Sequence, residues 1–168
     1  MDKAIIELLT GWVSGTYPTL APNPEEFSWF VSKRANHLIG GWLLRKRMAA
    51  LAPVSPTGTG CIVVSRERAE HVYNSRTTKD NVAQAGVVEL LGQLFVLGHP
   101  KYAPNPGYPM QLLMFDPAYK AIDPAAKGES PVAAVEFCGD HPVRLRLETA
   151  YWAKPAKIRA LELTALKK

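Results

Sequence analysis

Apolar and polar positions follow two different periods along this chain, a helical one in the first part and a strand-like one in the last third. Residues 2–14 are rich in apolar side chains and end at Gly15, which predicts a short, well-covered helix. Residues 81–97 form the most apolar helical pattern, and we expect that helix to be buried deepest against the sheet. Between them, residues 66–76 mix acids and bases at i,i+4 spacing, which predicts an exposed helix followed by a turn.

The longest predicted helix covers residues 24–51. Pro24 suits a first helical position, Asn23 is a good N-cap, and Phe27 and Phe30 begin a series of apolar residues near helical spacing. Gly40 and Gly41 interrupt this pattern, and each glycine disfavours a helix by about 1 kcal/mol relative to alanine. The segment is therefore either one continuous helix, in which the glycines allow another backbone to approach, or two shorter helices that meet at a bend.

The C-terminal third has the pattern of a sheet. Residues 61–64 and 111–115 are apolar on both faces, as interior strands are, whereas residues 142–151 alternate strictly. The turn signal Gly139-Asp140 predicts that residues 132–137 and 142–151 form an antiparallel hairpin. Residues 157–166 fit a helix by composition, but we predict a strand with a bulge there, because a third strand would complete a meander.

These elements predict an α+β fold in which N-terminal helices pack on a mainly antiparallel sheet. We expect a single domain over residues 1–168. Its helical part covers about residues 1–98 and its sheet part about residues 110–168, with one earlier strand at about residues 60–65.

Charge is distributed unevenly along the chain. The net charge is +5, and 47% of the residues are hydrophobic, so the chain can form a core and has a basic surface. Residues 33–47 and residues 141–168 each sum to +5, so the remaining residues are net acidic. If the two basic segments meet in space, they form one positive face.

Such a face predicts a non-enzymatic protein that binds the backbone of DNA or RNA, possibly as a subunit of a nucleoprotein complex. Phosphate contacts need several Lys or Arg side chains on one surface, and the two arginines of the alternating strand lie about 7 Å apart on one face. No motif that reads base sequence is present. The predicted contact residues are Lys33, Arg34, Arg45, Lys46, Arg47, Arg144, Arg146, Lys157 and Arg159.

The alternative function is that of a protein-interaction module, such as an inhibitor, adaptor or accessory subunit. The loop at residues 99–109 contains four prolines, which limit its flexibility, and two tyrosines, Tyr102 and Tyr108, that can anchor a partner. These tyrosines can equally pack the loop onto the body of the protein.

Motifs for other chemistry are weak. Cys138 and His141 are half of a zinc site without a second half, and Gly58-Thr59-Gly60 lacks the lysine of a phosphate loop. We therefore predict no cofactor and no metal, and we lean against an enzyme. Two cysteines in apolar runs indicate buried thiols in a reducing, cytoplasmic setting, and no segment suggests a membrane partner.

Overall fold

The computed structural model describes residues 3–15, 25–47, 60–119, 129–140 and 143–167; within these ranges, the side chains of residues 3–4, 44–47, 140 and 143 are not described. This part of the chain forms five helices: α1 Lys3–Ser14, α2 Lys33–Arg47, α3 Arg66–Asp80, α4 Gln84–Leu94 and α5 Pro155–Thr164. It also forms six strands: β1 Glu26–Phe30, β2 Cys61–Ser65, β3 Lys101–Pro104, β4 Gln111–Phe115, β5 Ser130–Asp140 and β6 Val143–Ala153.

The strands form one sheet in the order β1-β2-β6-β5-β4-β3. Only β2 and β6 run parallel among these strands, and the other neighbours pair antiparallel. The α+β class is confirmed. The predicted hairpin is also confirmed, since β5 and β6 pair along nearly their whole length.

Apolar side chains cover both faces of the sheet. On one face, residues of α1, α2, α3 and α4 pack against alternate residues of the strands, including Ile62, Leu145 and Leu147, and form the main core. On the other face, Ile158 and Leu161 of α5 pack on β3, β4, β5 and the end of β6. Among the described residues, no helix is long and apolar enough to cross a bilayer.

The predicted helix over residues 24–51 is wrong in its first part, which is strand β1. The side chains of Phe27 and Trp29 turn inward onto Phe95, with ring centroids 5.4 and 5.3 Å apart, while Glu26, Ser28 and Phe30 are exposed. This strand alternation is paired residue by residue with β2. The alternation covers only five residues, and over so short a segment the spacing of Phe27 and Phe30 also fitted a helix.

Helix α2 begins after Ser32, whose hydroxyl oxygen accepts a hydrogen bond from the Ala35 N–H at 3.2 Å. This is an N-cap. The helix runs through Gly40 and Gly41 without a break, so of the two alternatives the continuous helix is confirmed. The residues of the expected N-cap, Asn23 and Pro24, lie outside the described residues.

The strand predicted at residues 157–166 is wrong, because most of this segment belongs to helix α5, which ends at Thr164. Pro155 stands at the start of α5, where a missing N–H does no harm, and Ile158 and Leu161 are buried one turn apart. Leu163 is 81% exposed, although in a strand it would share a face with Leu161. The helical propensity of the segment therefore prevailed over the expected meander.

The structure differs from the predictions at three further places. Helix α3 continues through the predicted turn at residues 73–76 and ends at Asn81, which has the left-handed φ of 53° and donates its N–H to the Arg76 carbonyl. Helix α4 is shorter than predicted, and the Pro-rich loop at residues 99–109 contains the edge strand β3.

Candidate nucleic-acid interface

Three of the predicted phosphate-binding residues lie toward one end of the sheet. In the strand register, one row runs across β1, β2, β6 and β5 and consists of Phe30, Cys61, Arg144 and Gly139. Arg144 is exposed in this row, and α2 contacts β6.

Lys33 and Arg34 belong to the same end because of how β1 connects to α2. The Val31 N–H donates to the Gly60 carbonyl at 3.0 Å, which keeps the chain extended just beyond Phe30. Helix α2 then begins, and Lys33 and Arg34 are exposed in its first turn. We call Lys33, Arg34 and Arg144 the basic end of the sheet.

The helix dipole adds to the positive potential of this end. The first turn of α2 contains no acidic residue, so the partial positive charge of the helix N-terminus stands beside two cations. No ion pair with another described residue is formed by any of the three basic residues, Lys33, Arg34 and Arg144. Several other cations are paired with acids instead, namely Arg66, Arg68, Arg76, Lys101 and Arg146.

Arg146 is part of an ion network. Its Nε lies 2.6 Å from one carboxylate oxygen of Glu148, and its terminal nitrogen lies 2.9 Å from Glu136. The other oxygen of Glu148 lies 3.2 Å from Arg68 of α3. The hydrogen bond that Arg146 donates to Glu148 and the charge of that carboxylate raise the pKa of Arg146, and the hydrogen bond that it donates to Glu136 adds to this effect. The charge of Arg146 is therefore matched by acids, and a phosphate would have to compete with two carboxylates.

Lys157 and Arg159 are exposed, but they lie at the other end of β6. They belong to α5, which begins just after β6 ends at Ala153, nine residues beyond Arg144. At about 3.3 Å per residue the two ends of the strand are roughly 30 Å apart. The structure thus separates them from the basic end. Arg45, Lys46 and Arg47 lie in the last turn of α2, and their side chains are outside the described part of the structure.

The two tyrosines of the Pro-rich loop have different surroundings. Tyr102 is in β3 and only 3% exposed, and burial raises the pKa of its hydroxyl. Tyr108 is 57% exposed on a hydrogen-bonded turn in which Gly107 has a φ of 83°. The Tyr108 N–H donates to the Asn105 carbonyl, and the Gln111 N–H donates to the Tyr108 carbonyl, each at 3.1 Å. Of the two, only Tyr108 has an exposed side chain.

Cys138 is exposed, contrary to the expected burial of both cysteines, whereas Cys61 is buried as expected. The Cys138 thiol donates a hydrogen bond to the Arg144 carbonyl at 3.4 Å. Partial burial raises the pKa of this thiol in spite of Arg144 and Arg146 nearby, which is the opposite of what an activated thiol needs. The neighbouring His141 lies outside the described residues.

Other candidate chemistry is weak in the described part of the chain. Glu89 is exposed on α4, and Glu136 is paired with Arg146. Within the described residues, no group of three or more His, Cys, Asp or Glu side chains is arranged to hold a metal ion.

Sequence reasoning missed two features of this region. Phe30 is 68% exposed at the edge of the sheet, and Glu148 connects two arginines from different elements. The five-residue alternation of Glu26 to Phe30 was the available signal for the first feature. The second feature coincides with a bulge in the β5–β6 pairing, at which Glu148 is not opposite any residue of β5. No local sequence pattern indicates this bulge.

Comparison with protein-family models, with curated proteins and with solved structures found no match to this chain.

Proposed function

We propose that this chain binds the phosphate backbone of nucleic acid, without base readout, through the basic end of the sheet. The observation that supports this is the contrast between paired and unpaired cations. Lys33, Arg34 and Arg144 are exposed without a described acid partner, while five other cations are used in ion pairs. Cations kept unpaired beside a helix N-terminus form a favourable site for phosphate.

The geometry changes which residues belong to the proposed interface. Arg144 and the start of α2 form its centre, and Arg45, Lys46 and Arg47 extend it only if their side chains reach the same side. Arg146 has a structural role in its ion network, and Lys157 and Arg159 form a separate basic patch. The proposal keeps the cytoplasmic setting inferred from the two cysteines, because free thiols persist in reducing compartments.

A salt titration of binding to labelled single- and double-stranded oligonucleotides tests the proposal. Each phosphate contact on duplex DNA contributes about 0.9 to the slope of log affinity against log salt concentration. The double variant Lys33→Glu/Arg34→Glu should therefore bind more weakly and reduce that slope by about 2.

The matched control is Lys157→Glu/Arg159→Glu, which changes the net charge by the same amount at the other end of β6. We expect it to keep most of the affinity and of the slope. Equal losses in the two variants would mean that only net charge matters, and no binding of the unmodified chain at about 50 mM salt would refute the proposed function.

The second candidate is a protein-interaction module, which the exposure of Tyr108 favours. Pro106, Gly107 and Pro109 beside it are exposed as well, and the turn is held by its own hydrogen bonds. A photo-crosslinking residue at position 108 should give a discrete adduct with a protein partner, and the same residue at position 157 should not. Absence of any adduct specific to position 108 would exclude this candidate.

A further inference from the structure

The described sheet has two edge strands, β1 and β3, and β3 is closed to further pairing. The Asn105 N–H donates to the Gln111 carbonyl, so the odd-numbered residues of β3 face β4, and Tyr102 and Pro104 point their backbone groups outward. Pro104 has no N–H to donate. The Tyr102 carbonyl accepts a hydrogen bond from the Leu166 N–H at 2.7 Å. Both devices are common ways to protect an edge.

Within the described ranges, the outer edge of β1 is protected in neither of these ways. The hydrogen bonds at its two ends, Val31 N–H to Gly60 and Arg66 N–H to the Glu25 carbonyl, show that the odd-numbered residues face β2. The backbone groups of Glu26, Ser28 and Phe30 therefore point away from the sheet. No described strand pairs with them, and β1 contains neither proline nor lysine.

We propose that a second copy of this chain pairs antiparallel along β1, so that one sheet continues through a two-fold axis at Ser28. In this arrangement Ser28 pairs with Ser28 of the second copy, and Glu26 pairs with Phe30 of the second copy. All three outward-facing residues of each copy then exchange backbone hydrogen bonds. A two-fold interface needs a surface that is complementary to itself, and this edge is.

Charge favours this occupant and this direction. The N-terminal end of β1 is acidic, with Glu25 and Glu26 both exposed, and basic residues, Lys33 and Arg34, follow its C-terminal end. Antiparallel pairing places the acidic end of one copy beside the basic end of the other. Parallel pairing would place like charges together, which is unfavourable.

Apolar surface supports the same arrangement. Phe30 is 68% exposed beside the edge, and pairing would place it against the side-chain stem of Glu26 of the second copy. Phe27 would stand opposite Trp29 of the second copy on the other face, at a non-hydrogen-bonded position where side chains come closest. Phe27 and Trp29 are only partly buried in one copy. Cross-strand aromatic pairs of this kind stabilise sheets.

The test compares Ser28→Pro with Ser28→Ala by sedimentation equilibrium, over protein concentrations up to about 100 μM and without nucleic acid. Proline removes an N–H that points outward and leaves the bonds to β2 intact, whereas alanine keeps it. We expect a dimer for the unmodified chain and for Ser28→Ala. For Ser28→Pro we expect the dimer dissociation constant to rise at least about tenfold. A monomer in the unmodified chain, or equal dimerisation of both variants, would overturn the proposal.

A charge exchange provides a second test that does not depend on proline. Glu26→Lys should weaken the dimer, because a lysine at position 26 then lies beside Lys33 and Arg34 of the second copy. Adding Lys33→Glu and Arg34→Glu to the same chain should restore most of it, because the lysine at position 26 then lies beside opposite charges, with Glu25 unchanged. Failure of the triple variant to recover, while its circular dichroism and thermal melting match the unmodified chain, would also overturn the proposal. Because nucleic acid is absent, neither result depends on the proposed function.

Discussion

The two cysteines of this protein differ in what surrounds them. Cys61 is buried in β2, in the same row as Phe30 and Arg144. Cys138 is at the irregular step of the β5–β6 pairing, which turns it to the surface. Both occur in apolar runs of sequence, so a local pattern gave them the same predicted burial. The bulge depends on the partner strand and could not be foreseen.

We predict that iodoacetamide modifies Cys138 in the native protein and leaves Cys61 unmodified until the protein unfolds. Because partial burial raises the pKa of the Cys138 thiol, its reaction should be slower at pH 8 than that of a free cysteine and should accelerate as the pH rises. Peptide mass spectrometry with and without urea measures both sites. Labelling of Cys61 at the native rate of Cys138 would contradict the structure.

Asp116 follows β4 and is buried, with only 4% of its surface exposed. One carboxylate oxygen accepts the His99 N–H at 2.9 Å, and the other accepts the Ala118 N–H at 2.8 Å. A single side chain thus fixes both the entry to β3 and the turn after β4.

Replacing Asp116 by alanine should lower the free energy of unfolding by about 1–3 kcal/mol, because two backbone N–H groups lose their acceptor. Asp116→Asn is the control: it keeps one oxygen acceptor and should cost less. Urea denaturation measures both. If the two variants are equally stable, the carboxylate has no such role.

Helix α5 shows most clearly that local helix propensity, and not an additional strand pairing, decided the structure of one segment. Ile158 and Leu161 are buried on one face of this helix, while Leu163 points to solvent. A strand would have placed Leu161 and Leu163 on the same face.

Ile158→Ala or Leu161→Ala should lower the free energy of unfolding by about 2–5 kcal/mol, as buried truncations do. Leu163→Ala is the matched control and should change it by less than about 0.5 kcal/mol. Thermal or urea unfolding provides the measurement. Comparable losses at positions 161 and 163 would favour the strand instead.

Elements with a complete local pattern were predictable from sequence, and those that depend on distant partners were not. The hairpin of β5 and β6 follows from alternation and a turn signal, and α1 from its apolar spacing and Gly15. Strand β1 was missed because five residues of alternation become decisive only beside β2 and Phe95. Local signals also could not show that α5 covers the second face of the sheet.

Across the whole molecule, a chain of ion pairs connects α3, β6 and β5. It runs from Arg68 through Glu148 and Arg146 to Glu136. The side chain of Glu148 is only 14% exposed, so its attraction to the two arginines is screened less by water than that of a fully exposed ion pair.

We predict that Glu148→Gln lowers the free energy of unfolding by about 1–3 kcal/mol, since two charge-assisted hydrogen bonds are weakened. Glu136→Gln removes the charge of a more exposed acid with one arginine partner and should cost less than about 1 kcal/mol. Urea denaturation at low salt compares them. A larger loss from Glu136→Gln would show that Glu148 is not the centre of the network.

The candidate interface could also be predicted only in part from the sequence. Sequence identified the basic residues, and Lys33, Arg34, Arg144, Lys157 and Arg159 are indeed exposed. It could not group them, because their arrangement depends on which strand lies beside β6. The parallel pairing of β2 with β6 brings the start of α2 toward Arg144, while α5 starts from the opposite end of β6.

That parallel pairing also sets an order for the appearance of the fold during synthesis. Cys61 pairs with Arg144, so about 80 residues must be made before β2 acquires its inner neighbour. Until then β1 and β2 are a two-stranded ribbon, which is marginal alone in water. On the ribosome, the N-terminal half therefore waits with the inner backbone edge of β2 unpaired, and the sheet is completed only when the last hairpin emerges.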